Sequence, residues 1–247
     1  MTARLARDIR LAATATDYHR IGNQVDEQLA FSYFYPVIGE KIGVWPWGET
    51  ADEFSWRYLG TYAATALDCT RNAATEGSLH EAEFIAPVTR DGDQVNLIGY
   101  IFEQEGCQLP WKEKETLNRL QLGGERTYGW GRVESVGELQ PCEGPLFGGQ
   151  YTVEPDTWPP VLTAGENVRL LAHALAAGFD DNGAIHQAVR NVQGQIEPLV
   201  GRETVSHNRF GIRHSPARIC YVPGAHVKEK TQVQIGPFGI WEAMDDI

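Results

Sequence analysis

The sequence predicts an α+β fold, and three features carry that expectation. Runs that alternate apolar and polar residues fall at 8–15, 78–89, 94–103 and 132–139. From 52 to 74, between the first and second of these runs, apolar residues recur at helical spacing. A shorter helical run at 110–122 and a stretch with four glycines in nine positions, 123–131, separate the third from the fourth.

In order along the chain, Asp8 to Ala15 places Ile9, Leu11 and Ala13 on one face and predicts the first strand. Tyr18-His19-Arg20-Ile21-Gly22-Asn23 is expected to end it in a polar turn. Phe31 to Trp47 is dense in aromatics, Pro and Gly; it is taken as an irregular insertion with a short strand around Ile42-Gly43-Val44-Trp45. Its aromatics are assigned to packing rather than to base stacking. A helix is predicted over 52–74, with Asp52 as its cap and Phe54, Tyr58, Leu59, Tyr62, Ala63, Ala66, Leu67 and Thr70 as its apolar stripe.

Ser78 to Thr89 alternates as a strand, Arg90-Asp91-Gly92-Asp93 supplies a hairpin turn, and Gln94 to Glu103 is its expected partner. Pro110 opens the second helix, 110–122, which leads through the glycine-rich loop into the strand at 132–139. The resulting order, β-α-β-β-α-loop-β, is the split βαβ of ferredoxin-like, RRM-like folds. Residues 1–140 are therefore read as one domain, with its insertion at 31–47.

After Gln140-Pro141-Cys142 the chain turns loop-rich. A strand is expected at Gln150-Tyr151-Thr152-Val153, a helix over 166–177 with Gly178 as its C-cap, and strands at 196–203 and 217–224, with 233–241 closing the chain. Residues 141–247 are read as a smaller, more degenerate α+β part packed on the first.

The chain's 247 residues suffice for a real core. Its 42% hydrophobic and 22% charged content is ordinary for a soluble globular protein. No run approaches the roughly 18 consecutive apolar residues of a membrane span. The basic stretch Met1 to Arg7 is followed by alternating polar residues where a secretory leader needs an apolar core, so a cytoplasmic location is expected. Cys69, Cys107, Cys142 and Cys220 are too scattered for a zinc site or a disulfide framework.

Net charge is −12, which argues against a free-standing nucleic-acid binder. The cations nevertheless cluster. Arg126 and Arg132 lie in the glycine-rich loop, and Arg202, Arg209, Arg213, His214 and Arg218 crowd one C-terminal stretch.

The loop reads Leu122-Gly123-Gly124-Glu125-Arg126-Thr127-Tyr128-Gly129-Trp130-Gly131-Arg132-Val133. Glycines let a backbone take positive φ or lie against a ligand, and successive N–H groups in such a turn can cradle an anion. Arg126 and Arg132 suit phosphates, while Tyr128 and Trp130 offer flat faces to bases. The bland alternative is a glycine-rich hairpin whose aromatics pack on the core. Neither a Walker motif nor a dinucleotide fingerprint is present.

Gly-Gly-Glu-Arg-Thr-Tyr-Gly-Trp-Gly-Arg-Val, 123–133, resembles the glycine-rich loop of the RAMP superfamily, the ferredoxin-fold proteins of CRISPR ribonucleoprotein complexes. In that family the loop follows the second helix, precedes the fourth strand and touches guide RNA. The resemblance implies a non-catalytic subunit that holds the guide, by its 5′ handle, among other protein subunits of an antiviral effector complex. Gly123, Gly124, Arg126, Tyr128, Gly129, Trp130, Gly131 and Arg132 would then contact RNA, with Arg202, Arg209, Arg213 and Arg218 as a second patch.

Chemistry is less evident. His19, beside Tyr18 and Arg20, stands early in the chain, as does a histidine in the guide-processing endoribonucleases of the same superfamily. His19 and Arg20 are placed with the RNA-binding set rather than assigned catalysis, because a lone histidine is more often structural. His80 and His173 are read as structural. No metal-ligand spacing, nucleophile elbow or Gly-Gly-Asp-Asp is present, and no cofactor is expected. A processing endoribonuclease and a repeated backbone subunit that cleaves target RNA remain the alternatives.

Overall fold

The structure, a computed structural model, describes residues 15–43, 51–108, 120–125, 128–179, 185–186, 188–206 and 209–244. It is mixed α+β, with two α-helices and many short strands among the described residues. The first expected strand, 8–15, lies outside them except for Ala15, and the helix over 110–122 lies outside too, apart from its last three residues.

Helix α1 (Ala15–Gln28) occupies the segment expected to turn, so His19 and Arg20 are helical. It buries Val25 and runs straight into β1 (Leu29–Phe31), which pairs antiparallel with β9 (Ile101–Glu103). The Gln28 carbonyl accepts from the Gln104 N–H at 2.9 Å, tying the helix end to the residue that follows β9.

The supposed insertion is part of the sheet framework. Strand β2 (Tyr35–Ile38) turns through Gly39, at φ 57°, into β3 (Lys41–Ile42) and also pairs with β8 (Asn96–Ile98). Tyr35 is 3% exposed. Its ring meets Phe147 edge-on at 5.6 Å, which joins this segment to the C-terminal core.

The first predicted helix is much shorter than expected. Helix α2 (Ala51–Tyr58) buries Phe54 and Tyr58, one turn apart, with Val95 in a satellite core. Asp52 and Glu53 lie in its first turn and Arg57 in its last, complementing the helix dipole. It then becomes β4 (Leu59–Ala64), paired along its length with β7 (His80–Ile85). The reason is local. Gly60 has no Cβ and admits the Phe84 ring, which a Cβ would meet at 2.6 Å. Residues read as the buried stripe are open instead, with Tyr62 53% and Leu67 73% exposed. The hairpin continues through β5 (Leu67–Asp68) and β6 (Ala73–Ala74) to a tip where Asp68 Oδ1 accepts from Thr70.

Strand β7 and the turn at 90–93 stand where the sequence puts them, and Thr89 closes the turn onto Asp93 at 2.8 Å. The strands beyond the turn pair with β2 and β1 rather than with β7. No strand forms over 133–139: Gly137 takes φ 85°, and Val136 and Leu139 face solvent. The complete β-α-β-β-α-β order is thus not formed by the described residues.

The largest sheet is C-terminal. It comprises β10 (Tyr151–Val153), β11 (Val161–Ala164), β12 (Ala174–Phe179), β13 (Ile185–His186), β15 (Ile196–Leu199), β18 (Arg218–Tyr221), β20 (Thr231–Ile235) and β21 (Trp241–Glu242). Strand order is β10-β11-β20-β21-β12-β18-β15, with β13 beside β12, and only β12 and β21 run parallel. Two further pairs flank it: β14 (Val192–Gln193) with β19 (His226–Val227), and β16 (Arg202–Ser206) with β17 (Arg209–His214).

Strands β10, β15 and β18 fall within segments the sequence marks as strands, but 166–177 is not a helix. Leu170, Leu171, Ala172, Ala174 and Leu175 are all buried, with His173 alone polar among them, and the run enters the sheet as β12. The core packs Tyr151, Leu162, Phe147 and Trp241 against Tyr35, with Tyr33, Ile98 and Phe102 at its edge, so both halves of the chain share it. No helix among the described residues is long and apolar enough to cross a membrane.

Candidate nucleic-acid interface

Glycine-rich loop residues 120–125 and 128–133 are described; Arg126 and Thr127 lie outside. Its base is a short antiparallel clasp. Gln121 bridges Arg132, the Leu122 N–H donates to the Gly131 carbonyl at 2.8 Å, and the Val133 N–H donates to the Leu120 carbonyl at 3.1 Å. Leu120 is buried and anchors one side.

Gly131 is fixed by both conformation and space. It sits at φ 73°, where a Cβ would fall 1.8 Å from the Leu122 carbonyl oxygen, so the clasp closes only around glycine. Gly123 and Gly129, at φ 79° and 90°, border open space, as does Gly124. Glu125 takes φ 48° and accepts the Tyr128 N–H at 3.0 Å, turning the crest of the loop.

The two aromatics part company. Trp130 lies on the β4–β7 hairpin, 5.5 Å from the Tyr62 ring and 4.8 Å from that of Phe84. Tyr128 is 77% exposed. Arg132 is exposed beside the clasp. Among the described residues, the exposed Tyr128 ring and Arg132 thus stand beside open glycine backbone, while Trp130 lies on the β4–β7 hairpin.

The C-terminal basic stretch is a hairpin and its flank. Strands β16 and β17 place Arg202 opposite His214, Glu203 opposite Arg213 and Ser206 opposite Arg209. Arg202 and His214 are exposed, and Ser215 closes the hairpin by accepting the Gly201 N–H on its hydroxyl at 2.8 Å. Arg218 is different. It pairs with Glu242 at 3.0 Å, and the two are only about a third and a fifth exposed. Arg20 is exposed on α1, away in sequence from both patches.

A polar line that the sequence does not reveal crosses the core edge. His173 Nε2 lies 2.7 Å from Glu197 Oε1, and His173 Nδ1 lies 2.9 Å from the Tyr33 hydroxyl. His173 directly precedes β12, not within a helix, and its carbonyl accepts the Trp241 N–H at 2.8 Å. Burial above all, with Cys220 and Glu197 adding, pushes the Tyr33 phenol up to about 12. The buried Cys220 thiol is raised to about 11, chiefly by desolvation. Among the described residues no three His, Cys, Asp or Glu side chains gather as a metal site. Compared with protein-family models and with curated proteins, the chain matches none.

Proposed function

We propose that the chain is a non-catalytic RNA-binding subunit of a CRISPR effector ribonucleoprotein, holding the guide RNA by its 5′ handle through the loop at 123–132. One observation carries the reading: three glycines with open space where a side chain would stand, next to the exposed Tyr128 and Arg132. Such a crest admits a sugar-phosphate strand at van der Waals distance, with a ring for a base and a cation for a phosphate. Resemblance of 123–133 to the RAMP loop supplies the guide as the RNA in question. That reading takes residues 1–140 as a ferredoxin-like RNA-binding domain, 141–247 as a smaller α+β part, and the cytoplasm as the compartment.

The acidic balance, −12 overall, suits a subunit largely covered by protein neighbours better than an enzyme that must find free RNA. The β16–β17 hairpin supplies the second patch through Arg202 and the strand positions of Arg209 and Arg213.

The test is purification of the complex from its native host. Guide RNA should accompany the chain at one copy of protein per guide. Several copies per guide would make it a backbone subunit, and cleavage of precursor RNA by the isolated chain would make it a processing enzyme.

A further inference from the structure

The β4–β7 ribbon that carries Trp130 is a two-stranded sheet with two unlike faces. Residues directly opposite across an antiparallel pair share a face. Gly60–Phe84, Tyr62–Ala82 and Ala64–His80 therefore lie on one side, and Leu59–Ile85, Thr61–Glu83 and Ala63–Glu81 on the other. Trp130 meets Phe84 and Tyr62, which puts the glycine-rich loop on the first side. Glu81 and Glu83, the only acids of the two paired strands, are exposed on the second.

In a chain of net charge −12, that segregation leaves a strip without carboxylates leading away from the loop. The strip is not a core face. Tyr62 is 53% exposed despite its contact with Trp130, and His80 is exposed one strand pair farther out. Alanines stand opposite both rings, so neither has a bulky side chain across from it. Two residues along a strand advance about 7 Å, the reach of one extended nucleotide.

We infer that single-stranded RNA held by the loop runs on along this face of the ribbon, with successive bases stacked on Tyr62 and His80. The inference rests on the RNA-binding reading of the loop and extends that footprint outward. Rings of this kind accept any unpaired base, so the ribbon adds affinity for single strands and no sequence preference. Glu81 and Glu83 keep phosphates off the opposite face.

Fluorescence anisotropy of labelled oligouridines with the purified chain reads the footprint. A tetranucleotide is too short to cover loop and ribbon together, and a dodecanucleotide covers both. Tyr62→Ala should weaken the dodecanucleotide about 5- to 150-fold, the loss of one stacked base, and leave the tetranucleotide unchanged. Tyr62→Phe should restore binding. His80→Glu and Thr61→Glu change the net charge equally on opposite faces. The first should weaken the dodecanucleotide by about fivefold or more and the second by less than about twofold. His80→Glu also keeps the test open should Tyr62→Ala loosen the loop, because it lies a strand pair farther out. Binding weakened by Tyr128→Ala but indifferent to Tyr62→Ala and His80→Glu leaves the RNA on the loop and overturns the inference alone. Equal losses with His80→Glu and Thr61→Glu overturn it too. A parent chain that binds neither oligonucleotide, or that binds them regardless of Tyr128 and Arg132, overturns the loop reading and this extension together.

Discussion

Trp130 of the glycine-rich loop lies on Phe84 of the β4–β7 hairpin, ring centroids 4.8 Å apart and planes inclined by 42°. That contact divides the loop's labour. Trp130 holds the loop to the body of the protein, and Tyr128, 77% exposed, is the aromatic that the proposed RNA binding would stack on a base. Trp130→Ala should cost about 1–3 kcal/mol of stability, the worth of two tilted ring pairs. Tyr128→Ala should leave stability within about 0.5 kcal/mol yet weaken RNA binding about 5- to 150-fold, the worth of one stacked base. Denaturant melts and RNA titrations of the two variants check the division. The same loss of stability in both would contradict it.

Gly131 and Gly129 make a matched pair, since both take positive φ but only Gly131 faces a backbone carbonyl at its missing Cβ. Gly129→Ala should cost about 1 kcal/mol, from backbone strain alone. Gly131→Ala must in addition push the Leu122 carbonyl away and open the clasp, so its melting temperature should fall further, by more than about 4 °C. Equal melting temperatures for the two would mean that the clasp does not close as described.

The α+β class and several strands were legible beforehand, and the misses have physical causes. Strand β7 alternates Glu81 and Glu83 with Ala82 and Phe84, and a half-buried strand is what such a pattern encodes. The run from 59 to 64 carries helix-like spacing, but Gly60 and the full-length pairing with β7 outweigh it. Leu170 to Leu175, apolar but for His173, fits either a buried helix or a central strand, because so short and evenly buried a run has no readable period. The loop's glycines were visible as glycines, and Gly131's reason emerged only with the Leu122 carbonyl. Nothing in the sequence joins Tyr33 to His173, 140 residues apart, since that pair exists only through folding.

Tyr33 and Tyr35, with Tyr58 and Tyr151, have phenols raised by burial. A raised phenol holds its proton longer in the fold than in the unfolded chain. Its contribution is therefore complete below the ordinary value of 10.0 and, for Tyr33, is lost as pH rises to about 12. Stability should fall across that window, and unfolding at constant pH within it should raise tyrosinate absorbance. A flat alkaline limb in denaturant titrations would contradict these burials.

Arg218 and Arg202 should behave differently despite their shared cluster. Arg218 is engaged by Glu242 at 3.0 Å, and Arg202 is exposed on β16. Arg202→Glu should weaken guide retention with the melt unchanged. Arg218→Ala should leave retention unchanged and cost about 1 kcal/mol or less, as partly exposed ion pairs do. Guide retention that depends on Arg218 and ignores Arg202 would place the RNA elsewhere.

On the proposed function, the loop at 123–132 grips the RNA backbone. Its most direct test is guide retention by complexes carrying Arg126→Ala with Arg132→Ala, followed across a salt series. Two lost phosphate contacts on a single strand should make the slope of log affinity against log salt shallower by about 1.4, with affinity reduced and the melt preserved. Equal affinity and equal slope in the parent and the double variant would contradict the claim.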